Sequence, residues 1–484
     1  MSSKTDGLRR SDVLAIGALV CLGAILRIYR LDAGLWYDEI VTLVESVRPT
    51  FLRIVTAYPG YNNHPLYSAL AHLSVSTLGE HAWTVRVPAV VFGVAAIPML
   101  YILCASIATR REAFLAASLL TVSYHHIWFS QDARGYTALL FWTMLVTWLF
   151  VRLTEEARAT LIIAYGVGMA LGLYTHLTMA FVMIAHAITW AVWIRSTSDV
   201  EDRSRRLKTA VWAIGIAGIV SAALYSPLFG QVYAHYRARP PSMSASAVKA
   251  PGWAVLEVVK GLRLGLGIVG VIMAGALAAF GLRSYRRQNV LLTMTLVAPG
   301  VIGASALLLI HSPLRPRFFF NLLGFATLFV VRGALDVGRW ICGTRWQWIG
   351  GSDAVGGAIV GVIIVASVAS LPDGYRYPKQ DFDGAMRFVN AHRADMEPVA
   401  TAGVASYPLT RYYGLPWTPV HRAHDLEPLR SVGRRVWLVY SLPEYIAPDL
   451  IQTIRDECVP LQTLHGTLGG GDVIVCAFDS PTRE

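Results

Sequence analysis

Charge is what this chain has least of. Only 15% of its 484 residues are Asp, Glu, Lys or Arg, while 55% are hydrophobic and the mean hydropathy is +0.48. Soluble domains carry about a quarter of their residues charged, so the composition excludes a water-soluble globular chain and points to a polytopic membrane protein. Acids are scarcer than bases, 31 against 42, for a net charge of +11. The surplus Lys and Arg lie in short segments between apolar runs, where they set orientation in a lipid bilayer, so no nucleic-acid partner is expected. Cysteine is also sparse: there are five, with no CxxC, so neither a zinc site nor a dense disulfide framework is indicated. Cys458 and Cys476 share the C-terminal tail; they could pair if the tail is outside the cytoplasm, and two buried thiols are the other reading. A glycine-rich phosphate loop is missing too. Gly469 to Asp472 precedes a strand-like run and reads as a hairpin turn.

Long apolar runs are what the chain has in plenty. Lys4, Arg9 and Arg10 precede the first, Val13 to about Tyr29, which is long enough to cross a hydrocarbon core of ~30 Å. No small-residue cleavage site follows it, so an anchored first helix is expected, with the N-terminus cytoplasmic and the next segment outside. That segment, Leu31 to Trp83, reads as a loop with interfacial helices at Phe51 to Val55 and Leu66 to Leu78. Further spans are expected at Val85–Ala108, Ala113–Phe129, Tyr136–Val151, Leu161–Tyr174, Leu177–Ile194, Ala210–Phe229, Leu264–Leu282, Val290–Ile310, Phe318–Val331 and Val355–Leu371, about eleven in all. Basic turns alternate with the spans, as at Arg110–Arg111, Arg203–Lys208 and Arg286–Arg287, and mark the cytoplasmic side of a plasma (inner) membrane protein. Residues 1–371 thus form the membrane domain. Residues 372–484 change character, alternating helix-like (Asp381–His392, Pro448–Cys458) and strand-like (Val436–Tyr440, Val473–Phe478) runs, and read as a small extracytoplasmic α/β domain.

The ionisable residues that orientation does not explain gather in the expected outer loops. Asp38 and Glu39 follow the first span, and a carboxylate partly shielded there can take a proton from a hydroxyl; equally, it can cap the helix Ile40 to Val47. Asp132 and Arg134 follow the third span, as a functional pair or as a structural one. Arg315-Pro316-Arg317 places two cations on the outer side, held extended by proline, ready for a lipid phosphate or for anionic headgroups. Arg27, inside the first span, is expected to snorkel to the interface. His64, His125, His126, His176 and His311 fall near outer helix ends; their spacing does not establish a metal site, and a divalent cation stays open as a cofactor.

Together, Arg27-Ile28-Tyr29-Arg30-Leu31, Leu35-Trp36-Tyr37-Asp38-Glu39, Asn63-His64-Pro65-Leu66-Tyr67 and Ser130-Gln131-Asp132-Ala133-Arg134-Gly135-Tyr136 resemble the GT-C class of membrane glycosyltransferases. The likeness is nearest the branch with protein O-mannosyltransferases and lipid A aminoarabinose transferases, and is strongest in the first 140 residues. It implies a polyprenyl-phosphate sugar donor, transfer outside the cytoplasm with inversion, and a glycan, lipid or protein acceptor. It matches Asp38 to the catalytic acid, Glu39 to its neighbour and Asp132 to the second-loop acid. Arg134, Arg315 and Arg317 are the expected phosphate contacts, and His64, Trp36, Tyr37 and Tyr67 the expected substrate wall. His64-Pro65 stands where the aminoarabinose enzymes often have Lys-Pro.

Two other classes stay open. A lipid-sugar flippase would carry ionisable residues near mid-helix and inverted repeats, neither of which is evident. A non-catalytic scaffold of envelope polysaccharide assembly would use the outer domain as a binding module.

Overall fold

A computed structural model describes residues 9–60, 63–238, 251–310, 314–342, 351–432 and 435–479. His311 lies outside them. The chain is a helical bundle topped by a small mixed sheet. Among the described residues, seven helices are long and apolar enough to cross a membrane, and Ala159–Thr175 and Met179–Arg195 are shorter apolar helices. The first helix, α1 (Arg10–Ile28), leaves Val13, Leu14, Leu22, Ile25 and Ile28 exposed. Such a surface is stable only where lipid is the solvent.

The segment after the first helix forms α2 (Tyr37–Val41), which runs into a wide helical turn, Thr42–Val47, then α3 (Phe51–Thr56) and α4 (Pro65–Leu78). Both segments expected to carry interfacial helices are therefore helical. Next comes α5 (Ala82–Ile107), a long apolar helix containing Pro88 and Pro98.

The third expected span departs from its reading. It is two helices, α6 (Arg110–Thr121) and α7 (Tyr124–Ser130), broken at Val122–Ser123. At about 18 Å, α6 is too short to cross alone. At the break lies Arg27, which is fully buried and does not snorkel. Its guanidinium donates to the carbonyls of Leu120 (3.3 Å) and Thr121 (3.2 Å) at the end of α6, and to Ser130 Oγ (3.2 Å) in α7. Ser123 Oγ then accepts from His126 N and starts α7.

The α8 helix (Tyr136–Glu155) follows. The basic stretch Arg203–Lys208, expected as a turn, is helical within Val200–Tyr225. Asp199 accepts from Glu201 N at its start, Asp202 pairs with Arg205 and Arg206, and Arg206 lies 4.5 Å over the Trp193 ring. Of the later helices, Pro251–Gln288 and Leu323–Cys342 cross at glycines. A Cβ on Gly281 would sit 1.9 Å from Phe329 O, and one on Gly333 would sit 1.8 Å from Leu277 O. Only glycine permits that approach. It fixes the element that Pro316–Leu322, a 3₁₀ turn carrying Arg317, leads into.

The C-terminal sheet has order β2-β1-β3-β5-β4, with β1 (Val399–Gly403), β2 (Thr418–Val420), β3 (Arg435–Ser441), β4 (Val459–Leu464) and β5 (Val473–Asp479). The β1 strand is parallel to β2 and β3; β5 is antiparallel to β3 and β4. Side chains along β3 alternate between two cores. Val436 and Leu438 pack with Leu450 and Ile454 of the helix Pro448–Glu457, whereas Trp437 and Val439 join Phe382 with Leu35, Ile40 and Leu43 of the segment after α1. The sheet is thus seated on the loop that carries Asp38. Cys458 and Cys476 are disulfide-bonded, tying the end of that helix to β5. Of the five strands, the sequence pattern showed only β3 and β5. The β1 strand is short and built of small residues, while β4 is largely exposed and interrupted by Pro460, Gln462 and Thr463, so neither carries the apolar run that marks a buried strand.

Candidate active site

Four segments meet beneath the sheet: the start of α2, the residues before α4, the α7–α8 turn and the Pro316–Leu322 turn. Asp38 is 8% exposed, in the first turn of α2. Its Oδ2 lies 3.1 Å from Arg317 Nη1 and 3.5 Å from Arg134 Nη1. Arg134 also donates to His64 Nε2 through Nε (3.2 Å) and Nη2 (2.8 Å). Burial, then the Arg134 charge, hold the His64 imidazole well below its ordinary value, so the ring is neutral and accepts. The close fit extends to the backbone: a Cβ on Gly135 would lie 2.9 Å from His64 Nδ1.

Glu39 faces the other way. Both its oxygens are held by Arg86 of α5, Nε at 2.7 Å and Nη2 at 2.5 Å, and Oε1 also accepts from Ala133 N at 2.7 Å. Arg86 further donates to the carbonyls of Leu31, Ala33 and Gly34, so this fully buried pair pins the segment after α1 and the α7–α8 turn to α5. Burial raises the Glu39 carboxyl, but Arg86 and Lys379 outweigh it and hold it below the usual range.

Asp132 is fully buried; its Oδ1 accepts from Trp36 Nε1 at 2.8 Å and lies 3.4 Å from Lys379 Nζ. Burial pushes its carboxyl up.

The structure separates the expected substrate contacts. Trp36 is buried by its bond to Asp132, and Tyr67 is 1% exposed with its hydroxyl on Val85 O at 2.6 Å, so both brace the loops. Tyr37 is half-buried, its ring 6.3 Å from that of Tyr407, on a cleft under the sheet. The two outer arginines diverge as well. Arg317 reaches Asp38, whereas Arg315 donates to Tyr445 of the C-terminal sheet unit at 3.0 Å.

Two residues escaped the sequence reading, Arg86 and Lys379. For Arg86 there was a signal, a charge inside an apolar run. Lys379, just past the last span, had none but its isolation.

Among the described residues, Arg86, Arg134, Arg317 and Lys379 face Asp38, Glu39 and Asp132, one cation in excess. Arg134 Nη1 and Arg317 Nε are buried without a hydrogen-bond acceptor. An oxyanion fits this donor set. No three His, Cys, Asp or Glu side chains converge among the described residues, and the His64 ring faces a guanidinium.

The fold is that of the GT-C class of membrane glycosyltransferases. Residues 62–228 match the family described as dolichyl-phosphate-mannose-protein mannosyltransferase. The archaeal oligosaccharyltransferase AglB from Archaeoglobus fulgidus, in complex with an inhibitory peptide and a dolichol-phosphate, aligns with a TM-score of 0.56 at 12% identity over 96% of this chain and 74% of that one. ArnT from Cupriavidus metallidurans aligns with a TM-score of 0.54 at 13% identity over 96% and 97%, both in the apo state and bound to undecaprenyl phosphate. No curated protein sequence matches.

Proposed function

We propose that this chain transfers a sugar from a polyprenyl-phosphate donor to an acceptor hydroxyl, with Asp38 as general base and inversion at the anomeric carbon. The observation that carries it is the buried Asp38 carboxylate flanked by two guanidiniums, Arg317 at 3.1 Å and Arg134 at 3.5 Å, each with a nitrogen that lacks an acceptor.

The leaving group is a phosphate, stable as an anion at neutral pH, so it needs charge stabilisation more than a proton. Arg134 and Arg317 supply it. When the donor's phosphate draws these guanidiniums toward itself, their hold on the Asp38 oxygen loosens and leaves it open to the acceptor's hydroxyl. Asp38 then takes the acceptor's hydroxyl proton as that oxygen attacks the anomeric carbon from the face opposite the phosphate. The bond from that carbon to the phosphate oxygen breaks, and polyprenyl phosphate leaves with the electron pair. Glu39 and Asp132 are positioning groups in this scheme, and Tyr37 and Arg315 border the acceptor's approach.

The chain would act at the plasma membrane with its C-terminal unit outside the cytoplasm. The Cys458–Cys476 disulfide supports that placement, because such bonds persist in oxidising compartments. Purified protein given radiolabelled polyprenyl-phosphate mannose and candidate glycan, lipid or peptide acceptors tests the reading. Labelled product and free polyprenyl phosphate must appear together. A flippase or scaffold yields neither.

A further inference from the structure

The segment that leaves the last membrane helix returns at once to the site. Lys379, 7% exposed, donates from Nζ to Gln131 O at 2.6 Å and lies 3.4 Å from Asp132 Oδ1, 3.7 Å from Glu39 Oε1 and 4.5 Å over the Trp128 ring. Its neighbour Gln380 accepts from Tyr37 N at 3.1 Å and donates to Ser441 Oγ, at the end of β3, at 2.9 Å. The β4–β5 connection clasps the same segment: Thr467 N donates to Pro378 O (2.9 Å) and Leu468 N to Lys379 O (3.2 Å). At Gly466 the contact is so close that a Cβ would fall 2.3 Å from Lys379 O. Three consecutive residues therefore touch both catalytic loops and the sheet.

The charges divide unequally among these partners. Arg86 occupies both oxygens of Glu39, while Asp132 has only the Trp36 N–H and Lys379 on Oδ1, and its Oδ2 accepts no hydrogen bond. A buried carboxylate without a cation is strongly unfavourable. Among the described residues, Lys379 is the one cation within ion-pair distance of Asp132. The Asp132 carbonyl in turn accepts from Arg134 N at 2.6 Å, inside the turn that directs Arg134 at Asp38.

We propose that Lys379 is a positioning residue: paired with Asp132, it fixes the turn that aims Arg134 at Asp38, and so ties the C-terminal α/β unit to the reacting groups. This rests on the reading of Asp38 and Arg134 given under Proposed function.

The test compares the wild type with Lys379→Met, Asp132→Asn and the double variant, all as the full chain in nanodiscs. Each single change leaves one buried charge uncompensated, and kcat/KM for polyprenyl-phosphate mannose falls about tenfold or more. The double variant leaves none, and it turns over faster than either single variant, while Lys379→Arg stays near wild type. A lysine that merely packs gives a double variant no better than the worse single one, and that result overturns the proposal. If Lys379→Met is not recovered folded, Asp132→Asn against the double variant decides alone. If the wild type transfers no sugar, the proposed function fails separately, and thermal unfolding midpoints still judge the pairing. A double variant above both singles supports it, and one below both overturns it.

Discussion

Arg317 Nη1 lies 3.1 Å from Asp38 Oδ2 although 279 residues separate them in the chain. The bond joins the start of α2 to the turn that leads into a late apolar helix. It lets one carboxylate and one phosphate compete for the same cation.

Arg317→Ala should lower kcat/KM by about 10²–10³, the loss typical when a preorganised donor to developing negative charge is removed. Arg317→Lys should recover part of this, since it returns the charge but not the planar fork. Arg315→Ala should stay within about threefold of wild type, because Arg315 is turned to Tyr445 on the surface. Initial rates with labelled donor, together with undecaprenyl phosphate affinities, separate the two arginines. Equal losses at both positions would contradict the assignment.

The Glu39–Arg86 pair should act on folding more than on chemistry. Both side chains are nearly inaccessible, at 0% and 3% exposure, and Glu39→Gln leaves Arg86 buried without a counter-charge. Breaking such a pair costs about 3–5 kcal/mol. The expected outcome is a lower unfolding midpoint and a poorer yield of folded protein, with most of the loss recovered in Glu39→Gln combined with Arg86→Met. A Glu39→Gln protein as stable as wild type but inactive would instead make Glu39 a catalytic group.

These two cases show what the sequence could and could not reveal. Asp38, Arg134 and Arg317 were legible because each is an ionisable residue at the end of an apolar run, where orientation gave no reason for it. The expected apolar runs were legible as mainly helical, although the third is broken at Val122–Ser123 and seven of the described helices are long and apolar enough to cross a membrane. What failed was direction. Arg27 and Arg86 both sit within spans, and nothing local says whether such a guanidinium reaches toward water or into protein; their partners, Leu120, Thr121 and Ser130 for one and Glu39 for the other, are remote in sequence. The break between α6 and α7 lies at the first of these residues. Trp36 and Tyr67 had the residue type of a sugar-binding wall, but their polar atoms face Asp132 and Val85 O.

His64 should give stability an acid dependence. Burial and Arg134 hold its folded pKa well below 6.5, while the unfolded chain titrates near 6.5. The stability it contributes is therefore complete above that value and is lost as pH falls toward the folded pKa, with a slope of up to about 1.4 kcal/mol per pH unit for one proton. His64→Gln removes the titration but keeps an oxygen to accept from Arg134. Unfolding midpoints measured from pH 7.5 to pH 5 should fall less steeply in this variant. An unchanged slope would mean that His64 is protonated in the folded protein.

The most direct test of the account is Asp38→Asn, which removes the proposed base while nearly preserving shape. Single-turnover assays with labelled polyprenyl-phosphate sugar and a competent acceptor, run beside undecaprenyl phosphate binding on the same preparation, measure chemistry and binding separately. The account predicts no labelled product at a phosphate affinity within about threefold of wild type. Wild-type turnover by Asp38→Asn would contradict it.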